Sequence, residues 1–233
     1  MTLIVSRLAV GPVSALPEGR PTAIYKNAVD GPLAIGPLGL EGDAQADRRV
    51  HGGPEKAVHL YPSDHYGKLA AAFPEAASTL VPGSLGENLA VAGTDEAQVC
   101  IGDIYVFGSA RLQVSQPRSP CWKIDSRHGA DGIAAHIAEH GLTGWYFRVL
   151  TPGSARVGDA LQLEARNPDP VSLAELWQGW QIHRPPLELL ERLAATPGLT
   201  PDWSRRLRQR ADWLRANPQA AAAAATTWHP RRD

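Results

Sequence analysis

The chain has 233 residues, 43% of them hydrophobic, with a formal net charge of −1, which is enough material for one large domain and one small one. The balanced charge argues against nucleic-acid binding by the whole chain, and no run approaches the ~20 apolar residues of a membrane-spanning helix. Two cysteines make no disulfide framework, and the start at Met1–Arg7 lacks a signal-peptide pattern, so a reducing cytoplasm is the expected compartment.

Residues 1–166 read as mostly β, with short apolar stretches punctuated by Gly and Pro. The expected strands are Leu3–Val10, Thr22–Lys26, Ala57–Tyr61, Ile104–Phe107, Leu112–Ser115, Trp145–Leu150 and Leu161–Glu164. Lys26 ends an apolar strand, a place where lysine is usually solvated. After Gly39–Asp47 comes Arg48-Arg49-Val50-His51-Gly52-Gly53-Pro54-Glu55-Lys56. Glycines here permit close approach to a ligand, and Gly52 and Gly53 beside His51 and Lys56 can offer N–H groups to an anion. The competing reading is a Gly-rich hairpin with an exposed histidine. Gly86-Glu87-Asn88 is a weaker signal, since turns with Asn are common.

Two short helices are expected inside the β region. Ser63 can cap one carrying Tyr66, Leu69, Ala70 and Phe73, and the other carries Ile133, Ala134, Ile137 and Ala138 and stops at Gly141. Val99–Val106 and Ala155–Gln162 echo each other, each with a Gly-Asp turn ahead of an alternating run. Cys100 falls in the first of these and reads as a core position.

Cys121 differs. It follows Ser115-Gln116-Pro117-Arg118-Ser119-Pro120, so two prolines stiffen the backbone ahead of it into a loop. Arg118 and Lys123 flank it, and nearby positive charge favours thiolate, the form that binds soft metals or attacks electrophiles. The alternative is a small hydrophobe at a loop edge. A zinc site from His51, His59 and His65 matches no usual ligand spacing.

Asn167-Pro168-Asp169-Pro170 reads as a linker, and residues 167–217 as a small domain of three helices. Ser172 and Glu175 form a capping-box pair. Leu187, Leu190, Leu193 and Ala194 make one apolar face. Thr200-Pro201-Asp202 opens a helix with Trp203, Leu207, Ala211 and Leu214 on its inner side. Its other faces carry Arg205, Arg206, Arg208, Arg210 and Arg215, a solvated surface or a dock for an acidic partner. The Ala-rich tail, residues 218–233, reads as a frayed or disordered end without assigned function.

Taken in order, several segments resemble the MOSC family in its YiiM-like branch. They are Gly42-Asp43-x-Gln45-x-Asp47, His51-Gly52-Gly53-x-x-Lys56-Ala57-Val58, Gly86-Glu87-Asn88-Leu89, Ile101-Gly102-Asp103 and Gln116-Pro117-Arg118-x-Pro120-Cys121-x-Lys123. The three C-terminal helices, with Leu199-Thr200-x-x-Trp203, resemble the small helical domain of that branch. The resemblance implies a β-barrel of the pyruvate-kinase-barrel type with embedded short helices. It implies molybdenum cofactor (molybdopterin), not pyridoxal phosphate. Cys121 would ligate molybdenum; Lys26, His51, Gly52, Gly53, Lys56 and Arg118 would hold the anionic pterin phosphate, and Asn88 would read the pterin edge. Asp43 and Asp47 would orient loops or His51. The implied reaction is reduction of N-hydroxylated nucleobases and hydroxylamines, a detoxification, with His51 as proton donor. Electrons would come from a partner reductase, because two cysteines cannot hold an iron–sulfur cluster. Other readings are a sulfur carrier, with persulfide on Cys121, and a non-catalytic cofactor- or anion-binding module.

Overall fold

Alternation of apolar and polar residues, with one change of phase, shapes the first strand. In the computed structural model, which describes residues 1–47 and 52–217, β1 (Thr2–Val10) buries Leu3 and Val5, then Leu8 and Ala9. Its register against a neighbouring strand shifts between Val5 and Arg7, and a bulge of this kind bends a strand as a closed barrel requires. Short pieces follow: β2 (Ser14–Ala15), β3 (Pro21–Thr22), β4 (Asn27–Ala28), β5 (Leu33–Gly36) and β6 (Gly39–Leu40). Then come β7 (Val58–Pro62), β8 (Leu89–Val91), β9 (Ile104–Phe107), β10 (Ala110–Pro117), β11 (Trp145–Thr151), β12 (Gly153–Ala155) and β13 (Ala160–Ala165). The order β13-β9-β10-β11-β7-β8-β1 returns to β13 through an antiparallel β1–β13 pairing. Seven strands therefore make a closed mixed barrel, with β7 and β8 as a parallel pair.

Tyr105, Phe107, Trp145 and Phe147 are among the large side chains filling the barrel. That core continues without a break into three C-terminal helices, α4 (Leu173–Gln181), α5 (Leu187–Ala194) and α6 (Pro201–Ala216), through Trp177, Leu190, Trp203 and Leu207. The expected caps form: Ser172 Oγ accepts from Glu175 N at 3.0 Å, and Thr200 Oγ1 from Trp203 N at 3.4 Å. A second apolar cluster lies beside the barrel. It joins α1 (Asp64–Ala72), α2 (Lys123–His128) and α3 (Ile133–His140) through Tyr66, Leu69, Ile124, Ile133 and Ile137. The two echoing turns share one geometry. Asp103 Oδ2 accepts from Cys100 N at 2.9 Å, and Asp159 Oδ2 from Arg156 N at 3.0 Å. Cys100 is buried.

Four expectations are corrected. The expected strand Thr22–Lys26 does not form beyond Thr22, which ends β3: Thr22 Oγ1 takes the Ile24 N–H, Arg127 donates to Ile24 O, and Arg7 to Lys26 O at 3.4 Å. Side chains thus occupy backbone groups that a strand ladder would need. Ser63 precedes α1 but makes no side-chain cap, its backbone being already helical. The strand before Cys121 runs on through Pro117, paired with Trp145; β9 has by then left the other side of β10, so Pro117 sits where its missing N–H costs no ladder bond. Directly after Cys121 the chain forms α2, whose first turn begins with Ile124 N donating to Cys121 O at 3.0 Å.

Among the described residues no helix is long and apolar enough to cross a membrane. His51 and the tail 218–233 lie outside the described residues.

Candidate functional site

Cys121, half-buried, lines a groove at one end of the barrel together with Lys26, Lys56, Arg118 and Lys123. These residues come from distant parts of the chain: the loop before β4, the turn before β7, the end of β10 and the start of α2. The Cys121 position is set from two sides. Arg118 N donates to Gly144 O at 3.1 Å, and Ile124, fully buried in the second core, anchors α2. Lys123 Nζ donates to Pro21 O at 2.8 Å, tying α2 to the opposite lip.

Asp43 organises the other end. It accepts from Lys26 Nζ through both carboxylate oxygens, from Gly11 N at 3.0 Å and from Asn88 Nδ2 at 2.9 Å. Burial pushes the Lys26 ammonium down from its ordinary pKa, while Asp43 opposes that shift. Burial likewise lowers Lys56, opposed by the nearby Asp202 of α6. Asn88 is already committed inside the protein: it donates also to Ala9 O at 3.1 Å and accepts from His59 N at 3.0 Å. Both its amide hydrogens are used within the protein, where it holds Asp43 and His59 in place; one Oδ1 lone pair is spare in the groove it lines.

Of the glycine pair, Gly52 does not line the groove, and Gly53 lines an adjoining depression that shares Asp43 and Gln45 with it. Gly53 has φ 91° and opens the 3-10 turn Pro54–Lys56. Its conformation needs glycine, and it lies beside the groove. The Arg-rich run of α6 is partly corrected: Arg210 donates to Trp180 O and His183 O, bridging to the end of α4.

The groove has residues that the sequence pattern did not signal. His59 and Tyr146 face each other across β7 and β11, as register partners with ring centroids 5.0 Å apart. Burial first, and Arg118 second, hold the His59 imidazole well below its ordinary pKa, so it is neutral near pH 7. Burial raises the Tyr146 phenol, opposed by Arg118. His59 Nε2 and Arg118 Nη1 are buried without a hydrogen-bond partner. Atoms of this kind occur elsewhere too, at Thr143 and Trp145 for example; in the groove they leave bonding capacity that a ligand or water can take up.

Residues 47–162 match the MOSC domain. The chain is 40% identical to protein YiiM of Escherichia coli over 201 residues, covering 86% of this chain and 89% of that protein. The chain belongs to the MOSC family, in its YiiM-like branch. The crystal structure of YiiM from Geobacillus stearothermophilus superposes with a TM-score of 0.76 at 30% identity, over 90% of this chain and 99% of that one. A protein of Gibberella moniliformis named "Reductase" is 40% identical over 146 residues, 62% of this chain and 26% of that one. In this MOSC barrel the groove therefore lies within the family's matched segment for Lys56, Arg118, Cys121 and Lys123. Lys26 and Asp43 are supplied by the chain before it.

Proposed function

We propose that this MOSC protein binds molybdenum cofactor and reduces N-hydroxylated nucleobases and related hydroxylamines. One observation carries the reading: a single accessible thiol, Cys121, shares a groove with four cationic side chains. Thiolate sulfur suits a soft metal, and clustered cations suit a phosphate. The orphaned Arg118 Nη1 and His59 Nε2 fit the same demand for a polar ligand. The fungal relative named "Reductase" supports reduction as the reaction class.

The cofactor, when bound, supplies two-electron chemistry at molybdenum. Cys121 Sγ would be the protein's ligand to it. Lys26, Lys56 and Arg118 would grip the pterin phosphate, with Lys26 aimed by Asp43 and Asp43 in turn by Asn88. The substrate R–NH–OH takes up two electrons and two protons; the N–O bond breaks, and amine and water leave. His51, outside the described residues, is assigned as proton donor because imidazole titrates near neutrality. Electrons come from an external reductase, since two cysteines in the chain cannot hold a cluster. The exposed arginines of α6, Arg205 and Arg208, are the surface assigned to it.

The test is metal and pterin analysis of protein purified from a cofactor-producing host. Wild type should carry about one molybdenum per chain, and Cys121→Ala less than about a tenth of that. No metal in either protein, or a persulfide on Cys121 in its place, overturns the reading.

A further inference from the structure

Gly144 lies where β11 meets the Cys121 loop. Trp145, the first residue of β11, pairs with Pro117, and the next bond along is Arg118 N to Gly144 O at 3.1 Å. Neither Pro117 nor Pro120 has an N–H to give. The backbone ahead of Cys121 is therefore tied to β11 at this end through the Gly144 carbonyl. Gly144 is in turn held from behind. Its own N–H, beyond the end of the strand, donates to Glu96 Oε1 at 2.6 Å, and Glu96 Oε2 lies 2.8 Å from His65 Nε2. Further back along the chain, Tyr61 Oη donates to Leu142 O at 2.9 Å, and the Tyr61 ring meets the His65 ring edge-on at 5.5 Å. Ala174 N of α4 donates to Glu96 O at 2.8 Å, so the backbone of Glu96 is fixed too. Glu96, His65 and Tyr61 are all buried. A Cβ on Gly144, whose φ is 62°, would lie 2.5 Å from Leu60 O and 2.8 Å from Tyr61 Cδ2, so the position closes tightly on its neighbours. A buried carboxylate beside an imidazole adds little stability over an apolar pair of the same shape. What an apolar pair cannot supply is the acceptor for Gly144 N.

We infer that Glu96, held by His65, is a positioning residue for Cys121: it fixes the Gly144 backbone, whose carbonyl takes the Arg118 N–H and so sets where Arg118 and Cys121 stand in the groove. As a device for the cofactor's sulfur ligand the inference rests on the reading above; as placement of the thiol it does not.

Thiol labelling tests the placement without cofactor. The chain has two cysteines, and Cys100, buried at the bridge to Ser172, is the internal control. Full-length protein is alkylated with iodoacetamide, and each cysteine is followed separately by peptide mass spectrometry. Glu96→Ala should raise the rate at Cys121 about fivefold, the worth of one hydrogen bond, and leave the rate at Cys100 unchanged. Glu96→Gln keeps an acceptor for Gly144 N and a donor for the His65 ring, and should restore the wild-type rate. Should Glu96→Ala not fold, Glu96→Asp replaces it: its carboxylate, one carbon shorter, cannot meet both Gly144 and His65, and it should show the same selective rise. A Cys121 rate within about twofold of wild type overturns the inference. A parallel rise at Cys100 means a general loosening and overturns it as well. Molybdenum per chain, in protein from a cofactor-producing host, is the second readout. It should fall about fivefold in Glu96→Ala and recover in Glu96→Gln. Full molybdenum alongside a released Cys121 overturns the role towards the cofactor. Wild type without molybdenum sinks the cofactor reading instead, and the labelling result then decides the placement alone.

Discussion

The Lys26 ammonium lies 2.6 Å from Asp43 Oδ2, and the two side chains are only 6% and 3% exposed. A buried ion pair gains little over an apolar pair of the same shape, but breaking it strands a charge. Asp43 also satisfies Gly11 N and Asn88 Nδ2. Its retention in a groove is easier to explain as aiming Lys26 at an anion than as stabilising the barrel. Asp43→Ala should lower unfolding free energy by about 3 kcal/mol. Asp43→Leu combined with Lys26→Met should recover much of that in urea unfolding while abolishing pterin retention. A double variant no more stable than Asp43→Ala would show that the pair is not the reason for the loss.

What could be read from the sequence was what is decided locally or by a contiguous motif. Ser172 and Thr200 cap their helices because a cap is set within four residues. Gly141 ends α3 at φ 67° for the same reason. Lys56, Arg118 and Cys121 were legible as motif residues, Lys26 only through what the resemblance implies, and the fold brings all four to one groove. His59 and Tyr146 were not, since they meet only because β7 and β11 pair in one register, and neither strand's pattern shows its partner. Helix α2 was hidden by the prolines ahead of Cys121; these stiffen the approach but end at Pro120, and Ile124 then has a core to enter. Asn88 looked like a ligand group, and only the contacts show its amide already used.

The lip carrying Thr22 to Lys26 depends on a close approach by Gly11. A Cβ on Gly11 would lie 2.2 Å from Tyr25 O and 3.2 Å from Lys26 Cα. Backbone atoms cannot yield as a side-chain tip can, so Gly11→Ala must displace the lip. We expect a loss of about 2 kcal/mol in urea unfolding and a fall in cofactor retention by at least about tenfold. Gly67→Ala, on α1 with nothing within 4 Å of the added carbon, is the control and should be neutral or slightly stabilising. Retention equal to wild type in Gly11→Ala would show that the lip takes no part in binding.

Glu87 is 1% exposed and accepts from Tyr66 Oη at 2.5 Å, from Leu85 N at 3.1 Å and from Gly83 N. It thereby fixes the 83–88 turn that supplies Leu85 and Gly86 to the groove. Each donor left unmet in the interior costs about 1–3 kcal/mol. Glu87→Ala should therefore destabilise the protein by about 3 kcal/mol or more. Tyr66→Phe, which removes one donor and leaves the other two bonded, should cost about 1 kcal/mol. Differential scanning calorimetry on both variants checks the order; equal losses would mean that the phenol, not the backbone donors, carries the network.

His128 gives the fold a pH dependence whose sign can be worked out. Burial, then the neighbouring Arg127, push it from 6.5 down to about 4, and its Nδ1 lies 2.7 Å from Thr79 Oγ1. His59 is depressed in the same direction. As pH falls through 6.5 the unfolded chain takes up these protons, while folded His128 stays neutral until about pH 4. Between those values the unfolded state binds more protons, so stability falls with pH; above 6.5 the contribution is fully present. The urea midpoint should therefore decline steadily from pH 7 to pH 4.5. His128→Gln keeps a polar partner for Thr79 but cannot titrate. It should be less stable than wild type at pH 7 and show a shallower decline, with His59 still supplying part of the slope. A slope in His128→Gln equal to that of wild type would mean that the imidazole is protonated in the folded protein well above pH 4.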